Sequence, residues 1–216
     1  MQTIEMIGPS GAGKTTYVKD LSYSPDIYAD RLNTYASSLF VGVLLRNLPL
    51  NQVVIRRIFT HARPHYERRF ISRFPGLLET TASIVRNYED KESVLNFIFR
   101  EAAWFEFFSE YLNSDETYVI DDGLYQFHLR LLPIDGWNAK KIMNKLPEPN
   151  KLIFVDAEPE ICLERQENRS RGRASKLEGL TQTEAISQIE TMRSGSNEFI
   201  SEARNRGIEV EIIDNN

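Results

Sequence analysis

Eight residues near the start of the chain, Gly8-Pro9-Ser10-Gly11-Ala12-Gly13-Lys14-Thr15, carry the spacing Gly-x-x-x-x-Gly-Lys-Thr, and few short patterns restrict a fold so tightly. An apolar stretch, Thr3 to Ile7, precedes them, and Tyr17, Val18 and Leu21 follow at helical spacing. Strand, glycine-rich loop and helix in that order are what a phosphate-binding loop requires. Gly8, Gly11 and Gly13 admit positive φ, so the peptide N–H groups of the loop, Ser10 and Ala12 included, can converge on phosphate oxygens at a helix N-terminus. Lys14 is expected to reach the β- and γ-phosphates, Thr15 to place its hydroxyl on Mg²⁺, and Thr16 to reach the α-phosphate. ATP and Mg²⁺ are the cofactors this pattern predicts.

A motif of this kind opens an α/β domain, and the remaining chain agrees. The apolar segments Thr117 to Ile120, Leu152 to Val155 and Ile208 to Ile213 read as further strands, with a weaker one near Asp26 to Tyr28. Their continuous apolar character, separated by helical stretches, predicts a parallel sheet covered on both faces. Residues 35 to 112 read as mainly helical, with breaks expected at Pro49, Pro64 and Pro75-Gly76. Within them Glu92 to Leu112 has apolar residues at helical spacing, so its aromatics Trp104, Phe105, Phe107 and Phe108 are expected in the core. Further helices are expected over Trp137 to Leu146, from Pro159 to about Asn168, and from Gln182 to Asn205 before Gly207. Residues 1–216 read as one domain, with a helical insertion at about 35–112.

The chain has 26 Lys plus Arg against 31 Asp plus Glu, a formal charge of -5. Bulk electrostatics therefore argue against nucleic acid as a partner. No stretch of about 18 apolar residues marks a membrane span, the N-terminus has no secretory pattern, and the single cysteine, Cys162, suits a reducing compartment. A cytoplasmic protein without membrane partners is expected, with a homodimer left open.

The strand Tyr118-Val119-Ile120 runs into Asp121-Asp122-Gly123. Ligands of open α/β sheets sit at strand C-termini, so Asp121 is the candidate metal-holding acid and Asp122 the candidate base for an attacking hydroxyl. A polar turn capping the next helix would use the same residues. Downstream, Arg165-Gln166-Glu167-Asn168-Arg169-Ser170-Arg171-Gly172-Arg173 sets four arginines around a glycine. Such a segment, at about 165–175, could close as a lid and bring guanidinium groups to a transferring phosphoryl group.

Together GPSGAGKTT, the Asp121-Asp122-Gly123 strand end and RQENRSRGR resemble the nucleoside and nucleotide kinase branch of P-loop proteins, the thymidylate kinase and deoxynucleoside kinase group in particular. The resemblance covers nearly the whole chain. It implies a three-layer fold with a five-stranded parallel sheet in order 2-3-1-4-5 and a helical acceptor and lid region. Carried over by position, Lys14 and Thr15 match the phosphate loop, Asp121 matches the acid ending the third strand, and Arg169 and Arg173 look like lid arginines. The sequence departs from the group at one place. Thymidylate kinases have Asp-Arg-Tyr or Asp-Arg-Phe there and deoxynucleoside kinases Glu-Arg-Ser, whereas here Asp122 and Gly123 follow Asp121. The residues after the fifth strand are few, so base contacts would fall to Asp214-Asn215-Asn216 or elsewhere.

The acceptor is therefore a small molecule of open identity. Residues 56 to 73 hold Arg56, Arg57, Arg63, Arg68, Arg69 and Arg73 against one acid, Glu67. Of these, Arg56, Arg63 and Arg68 are the candidate substrate-binding residues for an anionic acceptor, against the alternative of a solvated helix face paired with acids elsewhere. A nucleotide-like or other anionic metabolite, a sugar or a small alcohol all fit a kinase on this scaffold. A regulatory NTPase is the competing class. The Asn-Lys pair Asn144-Lys145 runs on into Leu146-Pro147 and lacks the guanine-reading Asp, which argues against a switch GTPase.

Overall fold

Buried aliphatic residues at period two build the centre of the molecule. In β1 (Gln2–Ile7), Met6 faces one side of the sheet and Ile7 the other, and in β4 (Lys151–Asp156) Ile153 and Val155 oppose Leu152 and Phe154. The computed structural model describes residues 1–21, 27–28, 52–87, 91–111, 117–133, 135–169, 172–174 and 177–216. Five parallel strands form one sheet in the order β2-β3-β1-β4-β5, where β2 is Ile27–Tyr28, β3 is Thr117–Ile120 and β5 is Glu209–Asp214. Gln2 stands beside Thr117 and Glu5 beside Ile120, while Ile7 stands beside Phe154. The order is the one the resemblance implied.

Helices cover both faces. Met6, Val119, Ile153 and Val155 pack with Val18 of α1 (Lys14–Leu21) and with Cys162 and Leu163 of the helix Pro159–Glu167. The opposite face carries Ile7, Leu152 and Phe154 against a larger helical set. That set includes α2 (Gln52–Arg73), α3 (Gly76–Ile84), α4 (Lys91–Tyr111), α5 (Leu124–Arg130) and α6 (Ala139–Met143), with Met192 and Phe199 of the helix Gln182–Asn205. The helix Pro159–Glu167 is α7, begun by proline in its first turn, and α8 is Gln182–Asn205, opened by a Thr181/Glu184 capping box. Helix, sheet and helix make three layers, and no helix among the described residues is long and apolar enough to cross a membrane.

Two expectations need correction. Pro64 does not break the chain: α2 runs through it without interruption. Proline removes one helical N–H, but Tyr66 and Phe70 are buried on either side of the following turn, against Phe107 and Phe105 of α4. Packing of that face outweighs the lost bond. Helix α5, directly after Gly123, was foreseen only as a helix that a polar turn would cap, and its N-cap is Gly123 with no side-chain bond. The break expected at Pro49, and Asp26 of the second strand, lie outside the described residues.

Candidate active site

The loop between β1 and α1 sits at the C-terminal edge of the sheet, between the ends of β3 and β4. Gly8, Gly11 and Gly13 all have positive φ, 145°, 99° and 99°. A side chain at Gly8 would run into the carbonyl of Val155, and one at Gly11 into the carbonyl of Cys162, so the loop lies directly on neighbouring backbone. The amide of Ala12 donates to Pro9 O at 3.3 Å, and the Thr16 and Tyr17 amides donate to Gly13 O at 3.0 and 3.1 Å, starting the helix.

Three carboxamides from distant elements fasten this loop. Gln126 of α5, fully buried, accepts the Gly8 N–H on Oε1 at 3.0 Å. Gln166 of α7 donates Nε2 to Ser10 O at 2.7 Å and accepts the Ala174 N–H at 2.9 Å. Asn215 donates Nδ2 to Ala12 O at 2.7 Å, and its own carbonyl accepts from Arg165 Nη1 at 2.8 Å. A carboxamide suits this work because it offers both a donor and an acceptor to peptide groups. None of the three was foreseen as a site residue, although Asn215 was expected near the nucleotide.

Lys14 extends back along the loop and donates Nζ to Gly8 O at 2.7 Å and Pro9 O at 2.9 Å. Burial lowers its pKa to about 8, Arg130 lowers it further by repulsion, and Asp122 and Asp121 oppose the fall. One ammonium, one guanidinium and two carboxylates therefore act on each other at the ends of β1 and β3. Arg130, the last residue of α5, pairs with Asp122 through Nη2 and Oδ1 at 2.6 Å. It is the site residue the sequence reading missed. The signal for it is faint: an arginine eight positions beyond the strand-end acid, at the close of a helix.

Gly123 now has a physical reason. Its φ is -87°, so no unusual backbone is needed, but a Cβ there would meet Glu5 Oε1 and Ile120 Cγ2, each at 2.5 Å. The Glu5 carboxylate occupies that space to accept the N–H of Tyr125 at 2.7 Å and so anchors the first turn of α5. Any side chain at this position, the third of the motif, would displace the Glu5 carboxylate or the Ile120 side chain.

Thr15 and Thr16 are exposed at the start of α1. In the arginine-rich segment, Arg173 donates to Leu180 O at 2.7 Å and pairs with Glu167 at 2.5 Å, while Arg169 is half-buried after α7. In the 56–73 cluster, Arg63 pairs with Glu67 at 2.5 Å and with the Asn96 side chain at 2.6 Å. Arg73 pairs with buried Glu106 at 2.6 Å, and Arg69 pairs with Glu106 and Glu110. Arg68 is exposed and donates to Pro64 O of its own helix at 3.1 Å. The side chains of Arg56 and Arg57 lie outside the described residues. The structure thus brings Lys14, Asp121, Asp122 and Arg130 together, and ties Arg63, Arg69 and Arg73 to acidic or amide side chains.

A glycine-rich loop with a lysine and threonine at the edge of a five-stranded parallel sheet of order 2-3-1-4-5 defines a P-loop nucleotide-binding fold of the kinase type. Within that class, residues 4–188 match the AAA domain family, and the chain belongs to it. No curated protein matches the sequence. Among solved structures, the fold is similar to deoxyadenosine kinase from M. mycoides with bound dATP, at 12% identity and a TM-score of 0.50, covering 99% of this chain and 91% of that one. The same kinase with products dCMP and a flexible dCDP bound aligns at 12% identity and a TM-score of 0.45, over 99% of this chain and 90% of that one. At such identity the likeness is one of fold.

Proposed function

We propose that the chain is an ATP- and Mg²⁺-dependent kinase that transfers the γ-phosphoryl group to a hydroxyl or phosphate oxygen of a small molecule. The observation that carries this reading is the electrostatic reach of Lys14 to Asp121 and Asp122, which stand at the adjacent parallel strand end. The nucleoside-kinase fold supports it. Lys14 and the loop amides hold the phosphates in line. An acceptor hydroxyl passes its proton to Asp122 as its oxygen bonds to the γ-phosphorus. The bridging oxygen–phosphorus bond breaks, and its electron pair leaves on the diphosphate. The Thr15 hydroxyl and the Asp121 carboxylate are hard oxygen donors of the type Mg²⁺ takes. The ion, when bound, neutralises phosphate charge. Arg169 and Arg173 belong to a segment that closes over the phosphates, and α2 to α4 form the acceptor side, within a single domain. Buried Cys162 suits the cytoplasm.

The pairing of Arg63, Arg69 and Arg73 with acidic side chains favours a neutral hydroxyl acceptor, such as a nucleoside, sugar or alcohol, over an anionic one. A panel of nucleosides, nucleotides, sugars and amino alcohols with γ-labelled ATP, read as phosphorylated product, tests the proposal. Asp122→Asn is expected to lower transfer about 10² to 10⁴-fold while nucleotide still binds. Undiminished turnover removes Asp122 from the mechanism. Hydrolysis without any acceptor product replaces the kinase reading with that of a regulatory NTPase.

A further inference from the structure

Helix α5 presents one face to the phosphate loop. Gln126 and Arg130 are four residues apart and lie on the same side of the helix, and the Gln126 bond to the Gly8 N–H fixes that side against the start of the loop. The Gly8 amide can only donate, so it assigns Oε1 of Gln126 as its acceptor and leaves Nε2 as the other end of the group. That Nε2 is buried and has no hydrogen-bond partner among the described residues. A buried orphan donor costs about 1–3 kcal/mol, which marks a place where an acceptor oxygen is wanted.

Arg130 stands one turn further along. Its ion-pair partner is Asp122, with Nη2 at 2.6 Å from Oδ1, and its side chain remains 38% exposed. A guanidinium has five donors in a planar fork, so an ion pair with one carboxylate leaves donors for a second anion. It also stands close enough to Lys14 to repel it, the largest effect on that ammonium after burial. Two cations are gathered at the end of β1 and β3, and Asp122 and Asp121 offset only part of their effect on each other, since the Lys14 pKa stays lowered. A terminal phosphoryl group bound to Lys14 turns that repulsion into shared attraction.

We propose that Arg130 is a catalytic residue: its guanidinium contacts the γ-phosphoryl oxygens of the bound triphosphate, leaving Asp122 to the acceptor. Recognition of the γ-phosphate stands without the kinase assignment, whereas the catalytic role rests on it. Arg130 takes no proton in the step. It stabilises the charge on the equatorial oxygens while the bond to the bridging oxygen breaks.

The test compares binding of ADP with that of the β,γ-imido analogue of ATP, both with Mg²⁺, to wild type, Arg130→Lys and Arg130→Gln. Thermal melts verify folding, and the lysine variant keeps the test open if the glutamine variant fails to fold. Arg130→Gln is expected to weaken the imido analogue about 10-fold or more while ADP affinity stays within about 2-fold, with Arg130→Lys between. Once an acceptor is known, kcat is expected to fall about 10²-fold with acceptor KM unchanged. Equal loss for both nucleotides, or none for either, overturns the proposal. Selective loss of triphosphate binding in a protein that phosphorylates no acceptor sustains γ-phosphate recognition by Arg130 and removes its catalytic role together with the kinase reading. Acceptor phosphorylation at undiminished kcat in both variants sustains the kinase reading and removes Arg130 from it.

Discussion

The phosphate loop and the α2–α4 layer are held together by different means. Around the loop, Gln126, Gln166 and Asn215 each form directional bonds to a particular peptide group. Between α2 and α4, edge-on rings such as Tyr66 on Phe107 and arginine–glutamate pairs on Glu106 join two helical surfaces. A peptide N–H aimed at a phosphate must be fixed in direction, and only hydrogen bonds do that. A helix interface needs buried area and compensated charge, which many side chains supply. The directional bonds accordingly gather at the loop, and Arg69 and Arg73 of α2 belong with the packing.

Lys14→Met breaks the comparison most severely from the loop side. Transfer is expected to fall about 10³-fold with the fold intact, as measured by turnover and circular dichroism. The same variant has a pH signature. The unfolded chain keeps the Lys14 proton to about pH 10.5 and the folded one only to about 8, so the unfolded state binds more protons between those values. Stability from this group therefore rises as pH climbs from about 8 to about 10.5, and Lys14→Met is expected to remove that rise from melting curves.

From the packing side, the double change Arg69→Ala with Arg73→Ala strands the Glu106 carboxylate, whose side chain is 0% exposed. It is expected to cost about 3 kcal/mol in urea unfolding, with nucleotide affinity within about 2-fold once folded. A loss of triphosphate affinity instead would put these arginines on the ligand. Gln166→Leu tests the join between the phosphate loop and the backbone at Ala174. It leaves Ser10 O and Ala174 N–H without their partner, so about 1–3 kcal/mol of stability is lost together with nucleotide affinity. Arg68→Ala is the smallest, within about 0.5 kcal/mol and silent in acceptor KM. A large KM change would make it a substrate-binding residue after all.

The elements read correctly from sequence were those whose signal is local. Gly8 to Thr15 carries its spacing within one stretch, and the strands show as apolar runs. Helix α5 left no such trace because Leu124 to Leu129 are all buried, Gln126 and His128 among them, and a helix covered on every side shows no polar face. Arg130 was lost with it. The carboxamides were illegible for another reason: Gln126 bonds 118 residues away and Gln166 156, and no spacing rule links such positions. At Pro64 the local preference was read properly and then outweighed by the aromatic contacts of α4.

The bond from Asn215 to Ala12 spans 203 residues, and this separation sets a clock on synthesis. A ribosome adding about 5–20 residues per second completes the phosphate loop early and then takes about 10–40 seconds to make the residue that fastens it. Until β5 is translated and docked beside β4, Ala12 O lacks this clasp, so nascent chains halted before β5 would grip nucleotide more weakly than released ones.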